Sequence, residues 1–315
     1  MQKERSNDTS AEASGSKRAL LLVNPKARRG GESIDQACGL LLDAGFILDR
    51  RKPAEGESLG DVIRRAAKDC DLVIVGGGDG SLNNAAQALV ETQLPLGVLP
   101  LGTANDFART IGLPPDPVQA ARMLTTLKPR AIDLGEVNGH LFFNVASIGF
   151  SAELAAELSA EAKKRFGKLG YGIVAARLLA KSRLFTAHLE HDGVTEKLRT
   201  LQVSVGNGRH YGGGMTVEEN ATADDGKLDF YSLEVDHWWR LLRLLPSLRA
   251  GTQGRWDDVR AFRTTEVVIR TSRPRDVNTD GELTTQTPAH FRIRPKAIQV
   301  YAPLNTPGQS EKPAA

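Results

Sequence analysis

The stretch Asp71–Leu89, DLVIVGGGDGSLNNAAQAL, decides how this chain is read. Leu72 to Val75 form a short apolar run rich in β-branched residues, the composition of a strand buried on both faces. The segment GGGDGS at 76–81 interrupts it, and apolar residues then return at helical spacing through Leu82, Ala85, Ala86 and Leu89. Outward from this unit the same rhythm repeats. Ala19–Val23 reads as a strand, and a basic glycine-rich loop, NPKARRGG at 24–31, leads to a helix striped by Ile34, Ala37, Cys38, Leu41 and Leu42. Ile47–Arg51 is a short strand followed by a helix striped by Leu59, Val62, Ile63 and Ala66. Leu96–Leu99 is a fourth strand, and LPLGTANDFAR at 99–109 carries the chain into another helix. Strands alternating with helices predict a parallel sheet covered on both faces, with ligands bound outside the carboxyl ends of its strands. Both glycine-rich loops, 76–81 and 100–106, fall at such ends.

After about Ile132 the rhythm changes. Asn138-Gly139 and Asp192-Gly193 are two-residue hairpin signals. Strand-like runs recur at Phe142–Ile148, Leu184–Leu189, Leu201–Val205, Leu228–Leu233, Glu266–Arg270, Phe291–Ile293 and Ala297–Tyr301, with helical interruptions near 152–181 and 237–250. The fold class is therefore α/β: a parallel-sheet domain over 18–133, split near Asp133 from a mainly antiparallel β-sandwich over 134–304. The last strands are candidates to return to the first domain. No internal repeat is visible.

Composition bounds the function. The 315 residues carry 41 Lys+Arg against 38 Asp+Glu, a net charge of +3, with 40% hydrophobic residues. That is ordinary for a globular protein and too balanced to imply a nucleic-acid partner. Two cysteines, Cys38 and Cys70, exclude a disulfide framework and favour a reducing compartment. No apolar stretch reaches the ~18–20 residues that span a bilayer. The ends, 1–17 and 305–315, read as disordered tails, the first without an apolar signal-peptide core. A cytoplasmic protein that is not secreted is the expectation.

In GGGDGS, three glycines let the backbone approach a phosphate, and the amides at the following helix N-terminus favour an anion. The plainer reading is a tight turn that needs glycine for φ > 0. Asp79 tips the balance, because a carboxylate beside phosphates makes sense when a cation bridges them. The segment is neither a dinucleotide fingerprint, since Ser81 stands where glycine is wanted, nor a P-loop, since no Gly-Lys-[Ser/Thr] follows. One βα unit later, Thr103 and Asn105 offer side-chain hydrogen bonds, although either could serve simply as a helix N-cap. Asp106 adds a second carboxylate there. Asp224-Asp225-Gly226 is either a set of hard oxygen ligands on a tight turn or a plain Asp-Gly turn.

The pairing GGGDGSLNNAAQAL and PLGTANDFART resembles the catalytic domain of diacylglycerol kinases and of their sphingosine and ceramide kinase relatives, above all the bacterial soluble lipid kinases of the YegS type. The likeness continues through 24–31, FFNVASIGFSAE at 142–153, GNGRHYGGGM at 206–215, TADDGKLDFY at 222–231 and DGE at 280–282, so it covers nearly the whole chain between the tails. The resemblance implies an ATP-dependent lipid kinase with MgATP and the lipid hydroxyl meeting in the cleft between the domains. ATP would be held by Gly77, Gly78, Asp79, Gly80, Ser81, Leu82, Asn83, Asn84 and Thr103, with Asp79 near the phosphates and Mg²⁺. Glu282 would be the general base, with Asp280 the other carboxylate of the segment; a solvated turn residue is the plain alternative for Glu282. A structural Mg²⁺ would be held by Asp225 and the carbonyls of Thr222 and Lys227. Three positions depart from the family pattern: Ser81 in place of threonine, VEEN at 217–220 in place of a proline-containing stretch, and polar Thr279 before the Asp-Gly-Glu segment.

Residues 163–183 hold seven Lys/Arg and no acid, and His237–Arg249 combines Trp238, Trp239 and five leucines with three arginines. Such helices suit the interface of an anionic bilayer, while a core face with a solvated basic side is the ordinary alternative. The expectation is peripheral membrane contact through these segments, with no nucleic-acid partner and the oligomeric state open. Two rivals remain: another kinase with a Gly-Gly-Asp-Gly loop, of the NAD kinase or phosphofructokinase type, and a catalytically silent lipid- or nucleotide-binding protein.

Overall fold

The computed structural model describes residues 16–24, 31–157, 178, 182–208, 210–211, 215–216, 222–235, 246–247, 250, 252, 255–256 and 258–303. The far ends, most of the basic loop at 24–31, VEEN at 217–220 and nearly all of 163–183 and 237–249 lie outside the described residues.

The amino-terminal half is the alternating unit that the apolar periodicity predicts. Strands β1 (Arg18–Val23), β2 (Ile47–Arg51), β3 (Leu72–Gly77) and β4 (Leu96–Pro100) pair in parallel in the order β2-β1-β3-β4. Helices α1 (Gly31–Asp43), α2 (Leu59–Ala66), α3 (Asp79–Thr92), α4 (Asp106–Thr110) and α5 (Pro117–Leu124) connect them. β1, β3 and β4 are buried along nearly their whole length, so both sheet faces carry core. Val62, Ile63, Ala85 and Leu89 pack one side, and Ala37, Leu41, Ala120 and Leu124 the other. β3 and β4 therefore end side by side under a layer of helices, and the loops that follow them share one edge.

The rest of the chain is β5 (Pro129–Val137), β6 (His140–Phe142), β7 (Val145–Gly149), α6 (Phe150–Glu157), β8 (Phe185–His191), β9 (Val194–Thr200), β10 (Gln202–Gly206), the short pair β11 (His210–Tyr211) and β12 (Met215–Thr216), β13 (Leu228–Leu233), β14 (Val259–Thr264), β15 (Glu266–Thr271), β16 (Asp276–Thr279), β17 (Glu282–Gln286) and β18 (Ala289–Tyr301). A six-stranded sheet, β14-β13-β10-β7-β16-β17, packs on the second half of a ten-stranded one, with Ile148, Val203, Phe230, Val277, Ile269 and Phe291 among the residues between them. The ten-stranded sheet runs on through both halves, β2-β1-β3-β4-β18-β15-β8-β9, with β5 also pairing β18. β18 makes this possible. Its 13 residues join what the sequence shows as two runs, pairing β4 in parallel and β5 and β15 antiparallel, with a register shift between Arg294 and Ile298. Strands β14, β16 and β17 have no counterpart in the apolar pattern of the sequence.

Candidate active site

The loop after β3 is shaped by close backbone packing. Gly78 caps α3 with φ −103° and ψ −171°, so the positive φ proposed for a plain turn is not what glycine supplies here. Glycine supplies room. A Cβ on Gly102, in the loop after β4, would lie 2.6 Å from the Gly78 Cα, and one on Gly77 would lie 2.4 Å from the Ser81 Oγ. The two loops thus lie backbone against backbone, and Leu101 N donates to Gly77 O at 3.0 Å. No side chain caps α3. The first amides of a 14-residue helix are left to attract an anion, helped by its dipole.

Asp79 is placed differently from the expectation that set it at the phosphates. Its carboxylate accepts from Asp106 N at 3.1 Å and Phe107 N at 2.9 Å, so it caps α4 from the neighbouring loop. Asn105 does occupy the N-cap position of α4, in a left-handed conformation (φ 52°), yet its side chain makes no cap bond. It folds back on Gly102, accepting from Gly102 N at 2.8 Å and donating to Gly102 O at 3.1 Å. Thr103 stays exposed on the wall of the cleft.

Across the cleft, Asp280 and Gly281 have φ of 49° and 99°, and Thr279 pairs with Glu282: a two-residue hairpin turn with both central residues left-handed. Asn278 Oδ1 accepts from Gly281 N at 2.8 Å and fixes the turn. The two carboxylates of the segment go opposite ways. Asp280 accepts from the amides of Phe143, Asn144 and Val145 at 2.7–3.1 Å, and Asn83 Nδ2 on α3 approaches it at 3.5 Å. Burial pushes its carboxyl up to about 7, with the nearby Asp79 carboxylate adding to the rise and the three amides opposing it. Glu282 is exposed, and its side chain has no hydrogen bond or ion pair among the described residues. Its Oε1 lies 3.3 Å from where a Gly80 Cβ would stand, directly over the start of α3.

Between them lies a cleft of about 760 Å³, within the range of small-molecule sites. Of the residues that the resemblance nominates, Gly78, Gly80, Ser81, Asn84, Thr103 and Glu282 line it. Gly77, Asp79, Leu82 and Asn83 do not. Leu82 is 2% exposed and packs in the core, so only its backbone is available, and Asn83 turns to Asp280. Asn84 also accepts from Leu59 N at 2.9 Å, and Ser81 Oγ accepts from Asn24 Nδ2 at 3.0 Å. Sequence reasoning missed the wall formed by Pro53, Glu57, Ser58 and Leu59 between β2 and α2. The one local signal was the Ser58–Asp61 capping box that starts α2. The cleft lining includes two carboxylates, Glu57 and Glu282, and no Lys or Arg among the described residues.

The expected structural Mg²⁺ ligands do not fit a cation. Asp225 Oδ1 accepts from Lys227 N at 3.0 Å, and its other oxygen pairs with Arg263. Among the described residues, no three His, Cys, Asp or Glu side chains converge as a metal site.

Residues 18–137 match the diacylglycerol kinase catalytic domain, and residues 144–302 match the YegS C-terminal NAD kinase beta sandwich-like domain. A protein of Pseudomonas savastanoi pv. phaseolicola described as "Probable lipid kinase YegS-like" is 36% identical, with 94% of this chain and 97% of that one covered. A diacylglycerol kinase of Mycobacterium tuberculosis is 35% identical over 75% of this chain and 78% of its own. The crystal structure of a diacylglycerol kinase from Bacillus anthracis str. Sterne superposes with a TM-score of 0.76 at 26% identity, covering 91% of this chain and 98% of that one. Order and spacing of motifs, two-sheet architecture and full-length similarity agree: the chain belongs to the YegS-like, diacylglycerol kinase catalytic-domain family, and it is a kinase.

Proposed function

We propose that this kinase transfers the γ-phosphoryl group of MgATP to a hydroxyl of a diacylglycerol-like or related membrane lipid. One observation carries the reading: the Glu282 carboxylate, unpartnered among the described residues, stands over the uncapped amino terminus of α3 at a cleft of about 760 Å³. The α3 amides, with the Ser81 and Thr103 hydroxyls, bind the phosphates. The apolar parts of Pro53 and Leu59 offer a surface for the rest of the nucleotide.

Glu282 takes the proton from the lipid hydroxyl as its oxygen attacks the γ-phosphorus. The bond from that phosphorus to the β–γ bridging oxygen breaks, and ADP leaves. An alcohol is a weak nucleophile, and a positioned base contributes ~10²–10⁴-fold; charge neutralisation and alignment supply the remainder. Asp280 is not the base in this reading, because three amides hold its carboxyl away from the cleft. Asp79 acts as a positioning residue that fixes the loop after β4.

The donor chemistry fits Mg²⁺ in the cleft. A triphosphate beside Glu282, with no Lys or Arg on the described wall, would need a cation, and the Ser81 and Thr103 hydroxyl oxygens on that wall would share it with the phosphates. When bound, Mg²⁺ neutralises charge that develops on the phosphoryl oxygens. A lipid acceptor brings the enzyme to a membrane surface. No helix among the described residues is long and apolar enough to cross one, and the basic composition of 163–183 and the basic, tryptophan-containing composition of 237–249 suit peripheral contact on the cytoplasmic side.

The test is transfer from labelled ATP to diacylglycerol in mixed anionic vesicles, run beside NAD and sugar phosphates. Label in the lipid alone supports the proposal. Label in NAD or the sugar moves the chain to the other Gly-Gly-Asp-Gly kinases, and ATP binding without transfer to any acceptor makes it a silent binder.

A further inference from the structure

The turn Thr222–Lys227 carries no catalytic group, yet four aspartates stand around it and each is answered from within the chain. Asp133 is 2% exposed and accepts from Gly226 N and Lys296 N, both at 2.7 Å. Asp224 pairs with Arg130 at 2.7 Å, and the same guanidinium donates to Pro303 O at 2.6 Å. Arg263, on β14, reaches two carboxylates at once: Nε donates to Asp229 at 2.9 Å, and Nη2 pairs with Asp225. The second oxygen of Asp225 accepts from Lys227 N.

A divalent cation held at this turn would need several oxygens converging, anionic ones among them. Here both oxygens of Asp225 are engaged, one of them by a group that is itself positive. Mg²⁺ would have to displace the guanidinium, which would then be left beside a second cation with Asp229 as its partner. Arginine also suits the task in its own right. Its planar fork presents Nε and Nη2 to two different acceptors, which an ammonium on a single stem does not do.

We infer that Arg263 takes the place of a divalent cation at this turn, closing it onto the antiparallel β13–β14 pair so that the chain folds with no metal bound there. The lock has a structural consequence. Gly226 N and Lys296 N share the Asp133 carboxylate, and Lys296 sits, with φ 50°, in the bulge where β18 passes from the sandwich to the parallel sheet. Arg263 therefore buttresses the joint between the halves that carry α3 and Glu282.

The experiment reads stability and metal content, so its outcome is independent of which substrate the kinase takes. The full chain, purified without chelator, is assayed for bound Mg²⁺, Ca²⁺ and Mn²⁺, then dialysed against EDTA and melted with and without Mg²⁺ in the absence of nucleotide. The expected results are metal well below one equivalent per chain and a melting temperature that EDTA leaves unchanged. Arg263→Met should lower the melting temperature by roughly 3–6 °C, as expected when one partner of a half-buried ion pair is removed. One equivalent of metal retained by the wild type and lost in Asp225→Asn would overturn the inference, as would an EDTA-induced fall in melting temperature that Asp225→Asn abolishes. If Arg263→Met fails to fold, the metal content and EDTA response of the wild type still decide.

Discussion

The loop after β3 and the turn between β16 and β17 flank the same cleft, and they face it with opposite chemistry. In the loop, Asp79 is spent on two backbone amides and the cleft face is left to bare N–H groups. In the turn, Asp280 is spent on three amides, and the Glu282 side chain, two residues on, has no partner among the described residues. One side offers donors and the other a base, and in each case a half-buried aspartate fixes the geometry. A short acidic motif therefore does not reveal which of its carboxylates reacts. What separates them is whether backbone N–H groups have already claimed the oxygens.

The sharpest way to break this comparison is Glu282→Gln. The amide keeps the shape and loses the proton acceptor, so kcat should fall ~10²–10⁴-fold while ATP affinity, measured by titration calorimetry, stays within a factor of about two. A change confined to KM would remove Glu282 from the proton transfer and reopen Asp280.

Asp79→Ala tests the other side. It strips the acceptor from the amides of Asp106 and Phe107 and leaves α4 uncapped, so it should cost about 2–4 kcal/mol in urea unfolding, with turnover falling in step. Asp79→Asn, which keeps one acceptor oxygen, should recover part of both. Loss of turnover with unchanged stability would mean that Asp79 acts on the nucleotide itself, as its place in the motif suggests.

Much of the parallel half is legible in the sequence because its elements are fixed by local periodicity. Val62, Ile63 and Ala66, or Leu82, Ala85 and Leu89, name their buried faces without reference to anything distant. The features missed are those set by partners far along the chain. The Asp79 cap on α4 joins residues 27 and 28 positions apart. β16 and β17, DVNT and ELTTQ, carry almost no apolar alternation, since Val277 is their one contribution to the sandwich core. β18 reads as two strands because Pro295 and Lys296 interrupt it, and it is continuous because Asp133, 163 residues earlier, supplies the acceptor that the bulge needs. Within the site, the glycines, Ser81, Thr103 and Glu282 could be nominated from motif order. The wall from Pro53 to Leu59 could not, because a connection between two elements acquires its role only when the tertiary fold brings α3 beside it.

Asp280→Asn sharpens the contrast through pH. In the folded chain, burial and the nearby Asp79 carboxylate hold the Asp280 carboxyl at about 7, against an ordinary value of 3.8. Between those two values the folded state keeps a proton that the unfolded state has released. Stability must therefore fall as pH rises through that window and level off above it. The asparagine variant does not titrate there and keeps an acceptor oxygen for the amides. Wild-type stability relative to Asp280→Asn should accordingly drop by about 1 kcal/mol between pH 6 and pH 8, read from urea midpoints at a fixed m-value. A flat difference across that range would mean that the three amides hold the carboxylate ionised throughout. Asp280 would then be a permanently charged anchor, and its contrast with Glu282 would rest on geometry alone.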